Sequence, residues 1–191
     1  MVRVLLLISL LTIALTGCQS QSTCNKSDEC FSKRISSSKK TMETYAYRDV
    51  FRDTTAKSWS KSQGTHYEYF SKNGRSYLVY PGSTHVLKGR WEVVHTGSDA
   101  EICTQYPVNQ RSGVAGRPSG HWECKNTFTY TTHLDEIRLG DPLRLARTNK
   151  LPKVLPHNIN LSIQAAMNEV GYKAKLSRNK VCKWYRETCL P

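Results

Sequence analysis

Alternating polar and apolar positions dominate the middle of the chain. Residues 66–70 and 76–80 are two aromatic-rich runs on either side of Asn73-Gly74. An Asn-Gly pair between such runs predicts a β-hairpin, because both residues tolerate the positive φ of a tight turn. Further strand-like runs follow between turn residues, at positions 85–95, 101–106, 121–130, 133–139 and 144–146. Turn signals at this spacing predict an antiparallel meander, closed or half-closed.

Helical periodicity flanks this region on both sides. Before it, apolar residues near helical spacing predict a helix over residues 42–59: Met42, Tyr45, Ala46, Val50, Phe51 and, at its end, Trp59. After it, Asn160 can cap a second helix and Gly171 can end it, with one apolar side made by Ile163, Ala166, Met167 and Val170. Residues 172–176 and 181–185 then predict a short hairpin. The predicted fold class is α+β, mainly β: an antiparallel meander or half-closed barrel with an N-terminal helix and a C-terminal helix–hairpin tail.

The first residues predict export. Met1-Val2-Arg3 precedes an apolar run over residues 4–15, which suits a secretory signal and is shorter than the roughly 20 residues of a membrane-spanning helix. The run ends in Leu15-Thr16-Gly17-Cys18, which resembles the bacterial lipobox. That resemblance implies diacylglycerol on the Cys18 thiol, cleavage before Cys18, and acylation of the new amino terminus, for instance with palmitate. An ordinary signal peptide with a chance cysteine is the alternative.

Composition divides the chain into four segments. A signal peptide over residues 1–17 precedes a tether over 18–42 that is rich in Ser, Lys, Gln and Thr. A β-rich domain over 43–148 and a basic α+β tail over 149–191 follow. Gln19 stands where an Asp would favour the inner membrane. We therefore expect a lipid-anchored envelope protein, in the outer membrane and facing the periplasm, held firmly by several acyl chains.

Seven cysteines support export. Lipidation of Cys18 leaves six, and an even number in an exported chain predicts disulfides, although six cysteines allow fifteen connectivities. The six form three local pairs along the sequence: Cys24–Cys30, Cys103–Cys124 and Cys182–Cys189. A zinc site is a weaker interpretation, because the chain has no Cys-x-x-Cys motif. Disulfides, and no metal site, are therefore expected.

Positive charge is concentrated towards the C-terminus. The chain carries 28 basic and 15 acidic residues, and residues 141–191 hold ten of the former and three of the latter. Such a balance favours nucleic acid in a cytosolic protein, but export argues against that partner. The expected partners are the membrane, through the lipid anchor, and an anionic lipid, lipopolysaccharide, cell-wall polymer or acidic envelope protein. Candidate anion-binding residues are Lys173, Lys175, Arg178, Lys180, Lys183 and Arg186, with a solvated face as the alternative interpretation.

Several of these features occur in one order. A helix near residues 45–51 is followed by Tyr69-Phe70-x-x-Asn73-Gly74, by Gly89-x-Trp91-x-Val93, and by Cys103, an aromatic residue and Cys124. Residues 43–147 thereby resemble a family of small exported proteobacterial domains of unknown function. The resemblance implies a β-rich, lipocalin-like shape and no particular activity. A true lipocalin carries Gly-x-Trp on its first strand, whereas here the motif falls on about the third, so lipocalin-type binding is not implied.

Familiar catalytic motifs are lacking: there is no Gly-x-Ser-x-Gly, no His-Glu-x-x-His and no phosphate-binding Gly-rich loop with Lys. No catalytic residue and no cofactor is therefore predicted. The expected function is non-enzymatic, that of a binding or structural envelope lipoprotein that docks through its basic tail. A small-molecule carrier that uses the barrel interior is the alternative, and an envelope hydrolase is a third. An apolar cavity would favour the carrier, and a filled core would favour the docking protein.

Overall fold

The protein is described here by a computed structural model that covers residues 42–96, 99–108 and 120–181. Within these residues the chain forms seven β-strands and four α-helices. The strands are β1 (Thr54–Ser60), β2 (Gly64–Phe70), β3 (Arg75–Val79), β4 (Leu87–Thr96), β5 (Asp99–Gln105), β6 (Trp122–Asn126) and β7 (Leu134–Leu139). The helices are α1 (Met42–Phe51), α2 (Thr127–Thr132), α3 (Leu145–Thr148) and α4 (Ile163–Glu169). None of the helices in this part of the chain has the length and apolarity needed to cross a membrane.

The strands form one antiparallel sheet in the order β6-β5-β4-β3-β2-β1-β7. Each strand from β1 to β5 pairs with the next along the chain, and β7 then returns to pair with β1. The two outermost strands, β6 and β7, are therefore consecutive in sequence, and the six-residue helix α2 lies between them. So short a connection requires the sheet to curl into a half-barrel. The predicted fold class is confirmed.

The hairpin predicted at Asn73-Gly74 is confirmed, with a different turn. Strands β2 and β3 pair antiparallel on either side of it. Gly74 has φ +79°, whereas Asn73 is not among the residues with positive φ. The backbone N–H of Ser71 donates to the carbonyl oxygen of Arg75 at 2.9 Å, so three residues form the loop. A left-handed glycine at the third loop position is typical of three-residue hairpins.

The first helix is shorter than predicted. Helix α1 ends at Phe51, and Trp59 lies on β1. Asp53 has φ +57°, a left-handed conformation that cannot continue a right-handed helix. Thr54 and Thr55 follow, and their β-branched side chains favour a strand. The prediction of a helix over residues 52–59 is therefore wrong.

Two segments predicted as strands contain helices. The strand expected over residues 121–130 ends at Asn126, whose side-chain oxygen accepts hydrogen bonds from two backbone N–H groups of α2. Residues 144–146 lead into α3, because both carboxylate oxygens of Asp141 accept hydrogen bonds from its first N–H groups. Local side-chain caps thus override strand-like composition in both places.

The second predicted helix is confirmed as α4, with a corrected cap. The side chain of Ser162, rather than that of Asn160, accepts a hydrogen bond from Ala165 N and begins the helix. Gly171 follows the helix with φ +74°, as expected of a residue that ends one. Residues 172–176 form no strand, so the first half of the predicted hairpin is wrong. Residues 182–185 lie outside the described part of the chain.

The segment after β7 covers the outer face of the sheet. Tyr67 on β2 and Val79 on β3 are fully buried there. They pack in one cluster with apolar residues from α3, α4 and the adjoining loops, namely Leu143, Leu145, Leu151, Leu155, Ile163, Ala166, Met167 and Val170. Burying one such side chain stabilises the fold by roughly 1.5–3 kcal/mol. The outer face of β2 and β3 is therefore a filled core.

Residues after α4 also cover the open edge of β7. The Ser177 hydroxyl accepts a hydrogen bond from Leu139 N at 2.7 Å, and Asn179 Oδ1 accepts one from Ile137 N at 2.9 Å. The N–H of Lys180 donates to the carbonyl oxygen of Ile137 at 2.8 Å. These bonds satisfy strand groups that would otherwise be open to another chain.

Candidate ligand-binding cavity

Inward-facing side chains of β2 change from polar to apolar along the strand. His66, Glu68 and Phe70 face the interior of the half-barrel, while Tyr67 and Tyr69 belong to the outer core. Alternate residues of a strand share a face, so this register places the first three together. Phe70 lies in an apolar cluster, whereas Glu68 and His66 line a cavity.

The cavity has a volume of about 350 Å³. Its apolar wall residues are Ala56, Leu78, Ile102 and Leu134. Five further polar residues join His66, Glu68 and three tyrosines in the wall: Ser58, Gln63, Thr104, Glu123 and Lys125. The volume lies at the lower end of the roughly 300–1,000 Å³ that is typical of ligand pockets. Size and lining together suit a small polar molecule.

Glu68 is oriented in this wall by two tyrosines. The Tyr130 hydroxyl donates to Glu68 Oε2 at 3.0 Å, and the Tyr106 hydroxyl donates to Glu68 Oε1. Desolvation raises the pKa of Glu68, while hydrogen bonds from Tyr106 and Tyr130 and the charge of Lys125 oppose that shift. Desolvation also raises the pKa of Tyr106 and of Tyr130, so both remain protonated donors. The carboxyl group therefore has a fixed orientation before any ligand is present.

The third tyrosine of the wall is Tyr80, just beyond the end of β3. Its ring packs edge-on against that of His66, with the ring centroids 4.6 Å apart. Desolvation, then the charges of Glu68 and Glu123, raise the pKa of Tyr80 to about 12. Its hydroxyl is therefore also protonated at neutral pH.

The position of Tyr106 depends on a glycine. A Cβ atom on Gly89 would lie 2.4 Å from the carbonyl oxygen of Gln105 and 2.7 Å from the Tyr106 ring. Contacts this short do not occur in proteins. Any residue other than glycine at position 89 would therefore collide with the Tyr106 ring. A glycine inside a strand often marks such a close approach. The glycine of the Gly89-x-Trp91 pattern thus makes room for the tyrosine that holds Glu68.

His66 is held beside Glu68 as a neutral ring. Burial lowers the pKa of His66, and the charges of Lys125 and His157 lower it further against a backbone hydrogen bond to Gln63. The imidazole is therefore uncharged at neutral pH. Its Nε2 atom is buried and has no hydrogen-bond partner within the described residues. A buried polar atom without a partner costs roughly 1–3 kcal/mol, which is unusual outside functional sites.

A second cavity of about 340 Å³ adjoins the first. The two share six wall residues: Ser58, Gln63, His66, Lys125, Tyr130 and Leu134. Trp59, Thr129 and His133 lie in the wall of the second cavity alone, and Trp59 is 38% exposed. The two cavities are therefore continuous, and the second extends the first towards the partly exposed Trp59.

The opposite end of the half-barrel is filled. Phe70 packs against Phe51 of α1 with ring centroids 5.6 Å apart, and against Trp91 of β4 at 5.4 Å. Trp91 Nε1 donates to the carbonyl oxygen of Ser71 at 3.0 Å. All three rings are 2% exposed or less. The interior is thus neither an apolar cavity nor a fully filled core, because it has one packed end and one polar cavity.

One predicted disulfide is confirmed. Cys103 and Cys124 lie directly opposite each other on β5 and β6 and are bonded. They pack with Val94 and Trp122 on the outer face of the sheet. The bridge therefore holds β6 in place on the face opposite to the cavity residues Glu123 and Lys125. The other cysteines of the sequence-based predictions lie outside the described residues: Cys18, Cys24, Cys30, Cys182 and Cys189.

The basic residues predicted to bind anions do not belong to the cavity. Lys173, Lys175 and Arg178 are exposed on the segment after α4. Lys180 is half-buried, and its ammonium group donates to the carbonyl oxygen of Val50 at 3.4 Å. None of these four lines either cavity. Two further candidates lie outside the described residues, Lys183 and Arg186.

The cavity residues themselves are not predicted by the sequence patterns. Two signals could have pointed to them. One is a pair of ionisable residues, His66 and Glu68, on the same strand face as a large apolar residue, Phe70. The other is Gly89 in the middle of a strand-like run, where a glycine often marks a close approach of another group.

Comparison with known proteins gives no match: no family model, no curated protein and no solved structure matches the chain.

Proposed function

We propose that the protein binds a small polar molecule in the open end of its half-barrel. The observation that carries this proposal is a cavity of about 350 Å³ whose carboxyl group, Glu68, is already oriented by two tyrosine hydroxyls. Polar groups that are fixed in advance lose little conformational freedom when a ligand binds, which favours affinity. The role is that of a binding or carrier protein.

A ligand screen by thermal shift tests this role. The full-length chain is heated with a panel of small amines, sugars, amino acids and carboxylates, because a ligand that binds the folded state raises its Tm. Thr104→Phe places a ring inside the cavity, and Thr148→Phe adds the same ring at an exposed position of α3. We expect at least one class of molecule to stabilise the wild type and Thr148→Phe but not Thr104→Phe. The proposal would be contradicted if the ligand stabilised both variants equally. It would also be contradicted if no molecule stabilised the wild type.

We also propose that the protein works in the cell envelope, as a lipoprotein anchored through Cys18. The support is the Leu15-Thr16-Gly17-Cys18 motif after an apolar run of signal-peptide length. Metabolic labelling with a palmitate analogue should mark the wild-type protein and leave Cys18→Ser unmarked. Label on the substituted protein would end this part of the proposal.

A second candidate function is docking on an anionic envelope surface. The observation that favours it is the exposure of Lys173, Lys175 and Arg178 within nine residues of the chain after α4. Basic side chains near an anionic membrane each gain about 1 kcal/mol. This role is compatible with ligand binding, because these residues do not line either cavity.

A further inference from the structure

We propose that the ligand of this cavity is a small organic cation, an amine whose ammonium group hydrogen-bonds to Glu68. The inference rests on the proposed function, because it names the chemical class that the same cavity takes. Three features of the cavity support it: its hydrogen-bond acceptors, its charge and its aromatic walls.

Acceptors surround Glu68. Tyr106 and Tyr130 donate their hydroxyl protons to the two Glu68 oxygens, so the Tyr130 oxygen remains an acceptor. A carboxylate has about four lone-pair sites, and these two bonds use two of them. His66 is neutral, and its buried Nε2 has no partner among the described residues. An ammonium group has up to three donors and no acceptor, so it complements this arrangement better than a group that must also accept.

Among the described residues, Glu68 also lacks an ion-pair partner of opposite charge. The ion pairs among the described residues join Arg48 to Glu92, Lys57 to Asp135, Lys72 to Asp53 and Arg138 to Glu136. Lys125 acts on Glu68 through its charge but is not within ion-pair distance. Among the described residues, the cavity wall holds two carboxyl groups, Glu68 and Glu123, and one ammonium group, Lys125. By its side chains this part of the wall is more acidic than the chain as a whole, whose net charge is +13.

Other ligand charges suit this wall less well. An anion would meet two carboxyl groups, and a neutral polyol would supply no positive charge to offset the cost of ionising Glu68 in a desolvated position. The basic residues of the outer surface do not repel a cation in the cavity strongly, because the Debye length is about 8 Å at physiological ionic strength. The phenol rings of Tyr80, Tyr106 and Tyr130 add favourable surroundings for a cation.

A series of matched probes tests the charge of the ligand. Phenethylamine, phenethyl alcohol and phenylacetate carry the same ring with a positive, a neutral and a negative head group. Calorimetric titration of the full-length wild-type chain should show phenethylamine binding at least about tenfold more tightly than phenethyl alcohol, as a charge-assisted hydrogen bond requires. Phenylacetate should bind most weakly. This comparison needs no variant, so it decides the question even if a substitution of Glu68 fails to fold.

Two variants then locate the effect. Glu68→Gln should lower the affinity for phenethylamine about 10- to 100-fold, to the level of phenethyl alcohol. Glu123→Gln removes the other carboxyl group of the wall and should lower that affinity by a much smaller factor. An equal loss from both variants would show that general acidity, and not a contact with Glu68, determines binding, and would overturn the assignment.

The outcomes separate this inference from the proposed function. If phenethyl alcohol or a methyl glucoside binds as tightly as phenethylamine, and Thr104→Phe removes that binding, the cation assignment is wrong and the cavity is still a binding site. If phenethylamine does not bind, the inference is wrong as well. The proposed function fails with it only if no other probe binds in a way that Thr104→Phe removes.

Discussion

The two ends of the half-barrel are made from the same strands and have opposite character. Strand β2 contributes Phe70 to the packed end, and His66 and Glu68 to the open end, within five residues. At the packed end, three aromatic rings are buried in direct contact. At the open end, burial disfavours the charged forms of Glu68 and His66. The apolar end stabilises the fold, and that stability allows the open end to hold polar groups that folding alone would not favour.

Phe70→Ala breaks the packed end and should have the largest effect on stability. Removing a buried phenylalanine side chain costs about 3–5 kcal/mol, through lost burial and the cavity that remains. Denaturant unfolding measures this loss in the free energy of unfolding. Phe128→Ala is the matched control, because Phe128 is 63% exposed and its removal should change stability by about 0.5 kcal/mol or less. Similar losses from the two variants would contradict the view that the packed end carries the stability.

Removing the disulfide behind the open end should have the next largest effect. The double variant Cys103→Ser with Cys124→Ser removes the covalent link between β5 and β6, whose bridged residues are 21 positions apart. A loop of this size predicts a loss of about 2–4 kcal/mol in the free energy of unfolding. Because β6 carries Glu123 and Lys125, ligand binding in the cavity should weaken as well. Thermal unfolding and the probe titration check both effects, and an unchanged Tm would refute a stabilising role for this bridge.

Glu68→Gln changes the pH dependence of stability rather than removing packing. The pKa of Glu68 is raised above its usual 4.5 in the folded state, so the folded chain holds this proton more tightly than the unfolded chain does. Ionisation of Glu68 therefore costs stability as the pH rises above about 4.5. The wild type should lose stability relative to Glu68→Gln between about pH 4.5 and neutral pH. Unfolding curves of both proteins across that range test the sign. A difference that is constant, or that grows towards acid, would contradict it.

The contrast between the two ends also explains which features the sequence could predict. The Asn73-Gly74 hairpin, helix α4 and the Cys103–Cys124 bridge are local, since each depends on residues close together in sequence. Strand β1 was missed, because it is defined by pairing with β2 and with β7, and Thr54 faces Leu139 across the latter pair. The cavity is even less local. Tyr106 and Tyr130 lie 38 and 62 residues from Glu68, and only the curl of the sheet brings them together.

A second contrast sets the cavity against the basic segment that follows α4. Three residues of that segment, Lys173, Lys175 and Arg178, are exposed, whereas Lys180 is partly buried against the carbonyl oxygen of Val50. If the segment docks on anionic surfaces, its contacts are screened by salt, because the Debye length falls from about 10 Å at 0.1 M to about 3 Å at 1 M. Cavity binding should depend on salt much less, since the cavity wall is partly shielded from solvent ions.

Co-sedimentation with anionic vesicles tests this last and smallest effect, with Cys18→Ser protein so that no lipid anchor contributes. Binding should fall steeply between about 0.1 M and about 1 M salt. Substituting Lys173, Lys175 and Arg178 by Gln should remove most of the vesicle binding and leave the Tm and the probe affinity unchanged. A matched substitution of Lys61, Lys72 and Arg75, which lie in or beside the β-hairpin turns, should remove much less of the vesicle binding. Equal loss from the two triple variants would reduce the effect to net charge, and no binding at low salt would remove the docking role and leave the cavity as the functional surface.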